Sequence, residues 1–215
     1  MYCGLLLPTA VTPCVCHNFV METLLQRHKK GRLFVMSGPS GVGKDTLIDL
    51  LVTRTPGIMR SVSATTRKPR ATESDGRDYH FVSHAAFARD IGSNLFLEYE
   101  KYGDNFYGTP IGPVQENLDN GNDVILKIEV KGALNVRRLF PDVRLIFIAP
   151  PSVAELERRL RLRNTDTLEA VNVRMEIAQA ELKQAIYYDY IVVNDILKNA
   201  VQRLECIITA ERLRV

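Results

Sequence analysis

A glycine-rich segment, placed between two apolar runs, constrains the fold of this chain more than any other feature. Residues 33–36 are all apolar, the segment Gly38-Pro39-Ser40-Gly41-Val42-Gly43-Lys44 follows them, and apolar residues resume at Leu47. This order is typical of a buried strand, a tight turn and a helix. Glycines let the turn point its N–H groups inward, and the start of the helix adds unpaired donors and the positive end of its dipole. The segment therefore predicts an anion-binding loop in an α/β fold.

The spacing G-x-x-x-x-G-K is that of a loop that binds nucleotide phosphates, with Lys44 reaching the β- and γ-phosphates. The ATP-binding residues predicted here are Gly38, Pro39, Ser40, Gly41, Val42, Gly43, Lys44, Asp45 and Thr46. Ser or Thr normally follows the lysine and helps to hold Mg²⁺, whereas this chain has Asp45 and then Thr46. A carboxylate can bind Mg²⁺ directly or through water, and it can also repel phosphates. Either Asp45 or Thr46 is therefore a candidate metal ligand.

Composition and charge narrow the class of protein. A chain of 215 residues fits one domain with small inserted lobes, and a net charge of +3 is too small to indicate a nucleic-acid surface. No apolar run approaches the roughly 20 residues that span a bilayer. Three of the four cysteines precede residue 17, so the rest of the chain has no disulfide framework. We expect a cytoplasmic monomer or homodimer without nucleic-acid or membrane partners, and a disordered extension over residues 1–31.

Strand and helix patterns alternate after residue 32. The predicted strands are 33–37, 58–63, 124–130, 143–149 and 190–193, and the predicted helices are 43–53, 132–140, 152–161, 167–187 and 199–213. Ser152, followed by Glu155, predicts a capping box at the start of the helix 152–161. Such alternation predicts a parallel sheet covered by helices on both faces. Residues 64–110 interrupt the pattern with six glycines and prolines and half of the tyrosines. Short strands at 79–82 and 96–102 predict a small, partly antiparallel lobe inserted into the core.

Two polar groups in and near this lobe have the chemistry to bind a second nucleotide. Arg67 and Arg70 follow the hydroxyl residues 63–66, and guanidinium forks bind phosphate oxygens bidentately. Glu98 occurs with Tyr79, Tyr107, Gly108 and Thr109. A carboxylate can accept two parallel N–H bonds from a guanine edge, and a hydroxyl can donate to its O6. The alternatives are a solvated basic loop and an exposed strand residue.

A third basic group lies near the predicted helix 152–161. It consists of Arg159, Arg161 and Arg163, with Arg174 on the next predicted helix. These arginines could close over a triphosphate and stabilise charge on a transferring phosphoryl group. The alternative is an ordinary solvated helix with i,i+4 pairing, such as Glu155 with Arg159.

Taken together, these motifs resemble the guanylate kinase family over roughly residues 32–213. The stretches that carry the resemblance are 37–44, 61–70, 75–83, 105–110, 129–133 and 192–195. The segment Ser-x-Thr-Thr-Arg-x-Pro-Arg with a downstream Tyr-Gly-Thr is highly specific. The resemblance implies a P-loop core at 32–63, 111–156 and 175–213, a GMP-binding lobe at 64–110 and a lid at 157–174.

The resemblance also implies the reaction ATP + GMP giving ADP + GDP, with Mg²⁺, in purine metabolism. The residues matching the family's GMP site are Ser63, Arg67, Arg70, Tyr79 and Tyr107 at the phosphate and Glu98 and Thr109 at the guanine, together with Gly108. The residues implied in catalysis are Lys44, Arg67, Arg159, Arg163 and Arg174. Asn194 is expected near the adenine of ATP.

Several positions depart from the family pattern. Thr72, Leu162 and Asn164 replace glycines, Asp45 stands where Ser, Thr or Gly is usual, and Lys127 occupies a strand position where an acidic residue is expected. We hypothesise that Asp45 and Lys127 form a compensating pair, because strand 124–130 should lie beside strand 33–37. Gly-Lys-Asp is also found in ribose 1,5-bisphosphate phosphokinases, which are the enzymatic alternative. A catalytically silent guanylate-kinase-like module that binds phosphopeptides is the non-enzymatic one.

Overall fold

A computed structural model describes residues 30–162 and 168–214. Most of the predicted extension 1–31, and Arg163 and Asn164 of the predicted lid, lie outside the described residues. The strands are β1 (Leu33–Ser37), β2 (Ile58–Arg60), β3 (Ala64–Thr65), β4 (His80–Phe81), β5 (Phe96–Tyr102), β6 (Asn105–Pro110), β7 (Asp123–Lys127), β8 (Arg144–Ala149) and β9 (Tyr190–Val193). The helices are α1 (Lys44–Arg54), α2 (His84–Gly92), α3 (Ile111–Asp119), α4 (Val130–Leu139), α5 (Val153–Arg161), α6 (Leu168–Lys183), which continues as a 3₁₀ turn (Gln184–Tyr187), and α7 (Leu197–Leu213).

The central sheet is parallel and has the strand order β2-β7-β1-β8-β9. Because β1 is the middle strand, its side chains are buried on both faces of the sheet. Phe34 and Met36 face α1 and α7 in one core, whereas Val35 faces α3 and α4 in the other. This arrangement confirms the predicted parallel sheet with helices on both faces. It also brings the carboxyl ends of β1, β7, β8 and β9 to one edge of the sheet.

The segment 64–110 forms a second sheet with the order β4-β3-β6-β5. Strands β5 and β6 are an antiparallel pair, whereas β3 pairs with β4 in parallel. The stacked rings of Phe87 and Phe96, whose centroids lie 4.3 Å apart, pack α2 against this sheet. The predicted small, partly antiparallel lobe is therefore confirmed.

Two strand predictions run three residues past the observed ends. The predicted strand 58–63 ends at Arg60, and the chain then crosses to the lobe, where Ala64 and Thr65 pair with β6. The predicted strand 124–130 ends at Lys127, and Val130 already belongs to α4. Val130 is buried although it belongs to the helix, just as the apolar residues of β7 are buried in the sheet. Because the buried residues Ile128 and Val130 continue the alternating apolar pattern of the strand, hydropathy does not mark its end.

Helix α5 begins as its sequence predicts. The Ser152 side chain accepts a hydrogen bond from the Glu155 N–H at 3.1 Å, so Ser152 caps the helix.

Among the described residues, no helix combines the length and apolar character needed to cross a bilayer.

A buried carboxylate ties the two ends of the described chain to the sheet. Asp123, only 3% exposed, accepts a hydrogen bond from the Arg32 N–H at 2.8 Å and one from Arg212 Nε at 2.7 Å. Its charge is therefore compensated where water has little access, and removing it leaves Arg212 without its anion.

We expect Asp123→Asn to lower the free energy of unfolding by about 2 kcal/mol, because it breaks this partly buried ion pair. Urea denaturation followed by circular dichroism measures the change. Asp119→Asn is the matched control, because Asp119 forms an exposed pair with Lys30, and its cost should stay below about 0.5 kcal/mol. Equal effects of the two substitutions would contradict a structural role for Asp123.

Candidate functional site

The glycine-rich loop joins β1 to α1 with backbone conformations that other residues rarely adopt. Gly43, with φ 93°, directly precedes α1, and Gly41 has φ 86°. A Cβ on Gly43 would also come within 2.7 Å of Asn194 Nδ2. Lys44 folds back over the loop and donates to the carbonyls of Gly38 and Pro39. The strand, turn and helix predicted here are confirmed.

Asn194 connects the loop to the carboxyl end of β9. Its Nδ2 donates to the Val42 carbonyl at 2.8 Å, and its N–H donates to the Ala149 carbonyl at 2.8 Å. Arg159 of α5 donates to the Asn194 carbonyl at 3.1 Å and to Glu155 at 2.8 Å. The structure therefore places Arg159 beside the loop. Arg174 lies half-buried on α6, and Arg163 is outside the described residues.

A cavity of about 250 Å³ lies between the first turn of α1 and the lobe. Its lining residues are Asp45, Arg60, Arg67, Arg70, Glu73, Asp78, Tyr79, Tyr107 and Lys127. Four of the five residues expected around an acceptor phosphate are among them, namely Arg67, Arg70, Tyr79 and Tyr107. The fifth, Ser63, lies just before β3 and its carbonyl accepts from the His80 N–H. Four cationic side chains thus converge on one cavity, which suits a phosphate.

Glu73 holds the two arginines of the lobe in position. One of its oxygens accepts from Arg67 Nη2 and the other from the Arg70 N–H, both at 2.8 Å. The bond from Arg67 lowers the pKa of the Glu73 carboxyl, and the same bond raises the pKa of Arg67. The Arg67 guanidinium also lies 5.6 Å from the centre of the Tyr79 ring. Arg67 is therefore ordered before any phosphate binds.

The hypothesised pair of Asp45 and Lys127 is present. Lys127 Nζ lies 2.6 Å from Asp45 Oδ1, and Arg60 Nη2 lies 3.0 Å from the same oxygen. Partial loss of water alone would raise the pKa of the Asp45 carboxyl, but the nearby charges of Lys127 and Arg60 outweigh this effect and lower that pKa. Asp45 is therefore held as an anion between two cations at the mouth of the loop.

Glu98 and Thr109 face each other across the antiparallel pair of β5 and β6. Thr109, which is fully buried, donates its hydroxyl to Glu98 Oε1 at 2.8 Å. A Cβ on Gly132 would lie only 2.9 Å from Glu98 Oε2, so glycine leaves room for the carboxylate. Burial raises the pKa of Glu98 to about 7, and the nearby charges of Glu100 and Glu129 add to the shift. This carboxyl group therefore gains from any ligand that donates hydrogen bonds to it.

Lys44 lies near two further carboxyl groups. Burial lowers the pKa of Lys44, whereas the charges of Glu129 and Glu181 raise it in opposition. Burial, and then the neighbouring charge of Glu129, raises the pKa of Glu181 on α6 to about 7. Loss of water around Lys44 is thus partly offset by anions from α6 and from the start of α4.

The oxygen atoms available near the loop fit a magnesium ion bound mainly by phosphates. Asp45 and Thr46 are exposed residues of the first turn of α1, and both contacts of Asp45 go to Oδ1 rather than Oδ2. No group of three or more His, Cys, Asp or Glu within residues 30–162 and 168–214 could hold a metal. This donor set matches Mg²⁺, which commonly takes one or two protein oxygens together with substrate phosphates and water.

Sequence reasoning did not anticipate Arg60, Glu73 or Asp78 in the cavity. Glu73 follows Arg70 by three residues, a spacing that permits an ion pair within a turn, so a local signal existed. Arg60 gave no such signal, because its position depends on β2 pairing with β7 beside α1.

We expect Glu98→Gln to stabilise the protein at pH 8 relative to pH 5. The unfolded carboxyl ionises near 4.5, whereas the folded one keeps its proton up to about 7. The free energy of unfolding of the wild-type protein therefore falls as the pH rises between these values. The Glu98→Gln variant has no carboxyl group at this position, so its free energy of unfolding should not show this decrease. The gain at pH 8 should be about 2 kcal/mol larger than at pH 5, measured by urea denaturation at both values. Glu116→Gln, at an exposed position, should show no such difference.

Comparison with known proteins agrees with the geometry. The family model for guanylate kinase matches residues 30–211. A guanylate kinase of Synechocystis is 48% identical over 186 residues, covering 86% of this chain and 97% of that protein. A guanylate kinase of Thermus thermophilus is 48% identical over 86% of this chain and 84% of its own length. The crystal structure of guanylate kinase from Anaplasma phagocytophilum superposes with a TM-score of 0.71 at 31% identity, covering 87% of this chain and 89% of that one. The chain belongs to the guanylate kinase family.

Proposed function

We propose that this protein transfers the γ-phosphoryl group of ATP to GMP, giving ADP and GDP. The observation that carries the proposal is a single cavity lined both by Asp45, in the first turn after the phosphate loop, and by the basic and tyrosine residues of the lobe. A donor phosphate on the loop and an acceptor phosphate in the lobe would meet there. Relatives that are 48% identical to this chain over most of its length are guanylate kinases.

The base of the acceptor would be selected by Glu98 and Thr109. An ionised Glu98 would accept the N1–H and N2–H bonds of guanine, and these would replace the water that burial has removed. Adenine presents an acceptor at N1 and would leave the carboxylate unpaired. Gly108 lets the chain approach the aromatic rings, because a Cβ there would lie 2.9 Å from Phe96.

The acceptor phosphate would be held by Arg67, Arg70, Tyr79 and Tyr107, with Ser63 nearby. An oxygen of this phosphate attacks the γ-phosphorus of ATP, while the bond from that phosphorus to the β–γ bridging oxygen breaks and ADP leaves. No covalent enzyme intermediate is required, so the protein acts by alignment and by stabilising charge. Lys44 and the loop N–H groups would hold the β- and γ-phosphates, and Asn194 would lie near the adenine.

Mg²⁺ would be held by ATP phosphates together with Asp45 or Thr46, and when bound it neutralises charge on the β- and γ-phosphates. We further propose that residues 64–110 form the acceptor lobe and residues 157–174 a lid that brings Arg159, Arg163 and Arg174 to the transferring group. Arg159 already rests against Asn194 beside the loop.

A substrate panel tests this function directly. With ATP and Mg²⁺, we expect ADP release with GMP and at most trace release with AMP, UMP or ribose 1,5-bisphosphate, measured in a coupled assay. Turnover only with ribose 1,5-bisphosphate would assign the protein to the rival phosphokinases. Absence of turnover together with binding of phosphopeptides would assign it to the silent binding modules.

Lys44→Met should lower kcat with GMP by about 10² to 10³, because it removes a charged donor from the transferring phosphoryl group. Lys198→Met, an exposed lysine of α7, is the matched control and should leave kcat unchanged. A Lys44→Met enzyme with normal kcat would contradict the role of the loop in catalysis.

Guanosine should bind about tenfold more weakly at pH 6 than at pH 8. Glu98 has a pKa of about 7 and must be ionised to accept both guanine donors, so protonation at pH 6 competes with binding. Guanosine is used because the phosphate of GMP titrates near pH 6 itself. Calorimetric titration measures the affinity. Glu98→Gln should abolish the pH dependence, and an equal dependence in that variant would refute the assignment.

A further inference from the structure

Lys127 is a fourth cation beside the three arginines of the cavity, at the carboxyl end of β7. Its Nζ lies 5.6 Å from the centre of the Tyr79 ring, and the Arg67 guanidinium lies 5.6 Å from the same centre. Lys127 and Arg67 thus both contact Tyr79, which is expected at the acceptor phosphate. The family pattern leads one to expect an acidic residue at this position, so no role for a cation is transferred from the family.

The partner of Lys127 is more accessible to water than Lys127 itself. The side chain of Asp45 is 61% exposed, whereas that of Lys127 is 21% exposed. If the ammonium group moved to a phosphate, Asp45 would keep the bond to Arg60 Nη2 at 3.0 Å and gain water. Arg60 is itself anchored to Asp49 at 2.8 Å, so it would remain in place. Release of Lys127 therefore leaves no buried charge unpaired, and its cost is small.

We propose that Lys127 is an additional cation of the acceptor-phosphate site, held by Asp45 while the site is empty and donating to the acceptor phosphate when the nucleotide binds. The proposal rests on the function proposed above. Asp45 competes with the phosphate for the ammonium group, and Arg60 positions Asp45 by holding it at the mouth of the loop. A phosphate carries more charge than the carboxylate and offers three oxygens, so the exchange favours the bound state.

The alternative is that Lys127 serves only to neutralise Asp45. A purely structural pair would affect folding, but it would not distinguish a nucleoside from its monophosphate. The phosphate contribution to binding is the ratio of the dissociation constants for guanosine and GMP. This ratio, measured without ATP and Mg²⁺, isolates a contact made to the acceptor phosphate.

Calorimetric titration of GMP and guanosine into the full chain and its variants tests the proposal. We expect Lys127→Met to weaken GMP binding by about ten- to a hundredfold, the loss typical of a hydrogen bond between charged groups, and to leave guanosine within twofold. Lys127→Arg should recover most of the loss. Lys131→Met removes the same charge from an exposed lysine four residues away and should change neither affinity.

Asp45→Asn provides a second and independent test, because it removes the competitor and leaves Lys127 in place. We expect it to tighten GMP binding and to leave guanosine binding unchanged. Equal weakening of GMP and guanosine by Lys127→Met, or unchanged GMP binding in that variant, would overturn the proposal while leaving the kinase function intact. A wild-type protein that does not bind GMP would overturn both.

Discussion

The parallel pairing of β1 between β7 and β8 is the constraint on which the rest of the structure depends. It buries β1 on both faces and brings the phosphate loop, Lys127 and Asn194 to one edge of the sheet. Residues separated by more than a hundred positions therefore contact one another, as Asn194 and Val42 do. Because the strands are fixed by two apolar cores, the site at their ends can carry closely spaced charges without loss of the fold.

Four cations of the site are already paired with carboxylates of the chain. Arg67 is bound by Glu73, Lys127 by Asp45, Arg60 by Asp49 and Arg159 by Glu155. These pairs keep like charges close together in the empty protein and order the side chains in advance. An incoming phosphate must displace these internal anions or share their cations. The free energy of binding is therefore the difference between the ion pairs formed with the phosphate and the internal ion pairs that they replace. The Glu98 carboxyl differs from these paired groups, because burial removes water from it without a cation to replace that water. A ligand can supply the missing hydrogen-bond donors.

The sequence predicted the class of fold and most elements because the relevant signals are local. The glycine loop, the Ser152 cap and the strand β9 were placed correctly, since turn chemistry, capping and β-branched runs act over a few residues. The end of β7 was wrong because buried apolar residues, Ile128 and Val130, continue past it. The end of β2 was wrong because the half-buried residues 61–63 lead directly into β3. Arg60 was missed because only the pairing of β2 with β7 brings it to Asp45. The Asp45–Lys127 pair was anticipated because both residues depart from the family pattern, and because the strand of Lys127 was expected beside the strand that leads into the loop before Asp45.

That pair also explains why the Gly-Lys-Asp sequence does not decide between acceptors. Asp45 lies on the donor side of the cavity, in the first turn after the loop, and its charge is balanced by Lys127 and Arg60. The presence of Asp45 therefore indicates how charge is balanced on the ATP side of the cavity, and it does not indicate which acceptor binds. The choice of acceptor depends on other groups of the lobe, where the register of β5 and β6 sets the partly buried Glu98 carboxyl opposite the buried Thr109 hydroxyl. A sugar bisphosphate has no pair of N–H donors for Glu98. In an enzyme for that substrate, the desolvation of this carboxyl would destabilise the protein without improving binding. The retention of Glu98 and Thr109 in this geometry favours guanine as the group recognised.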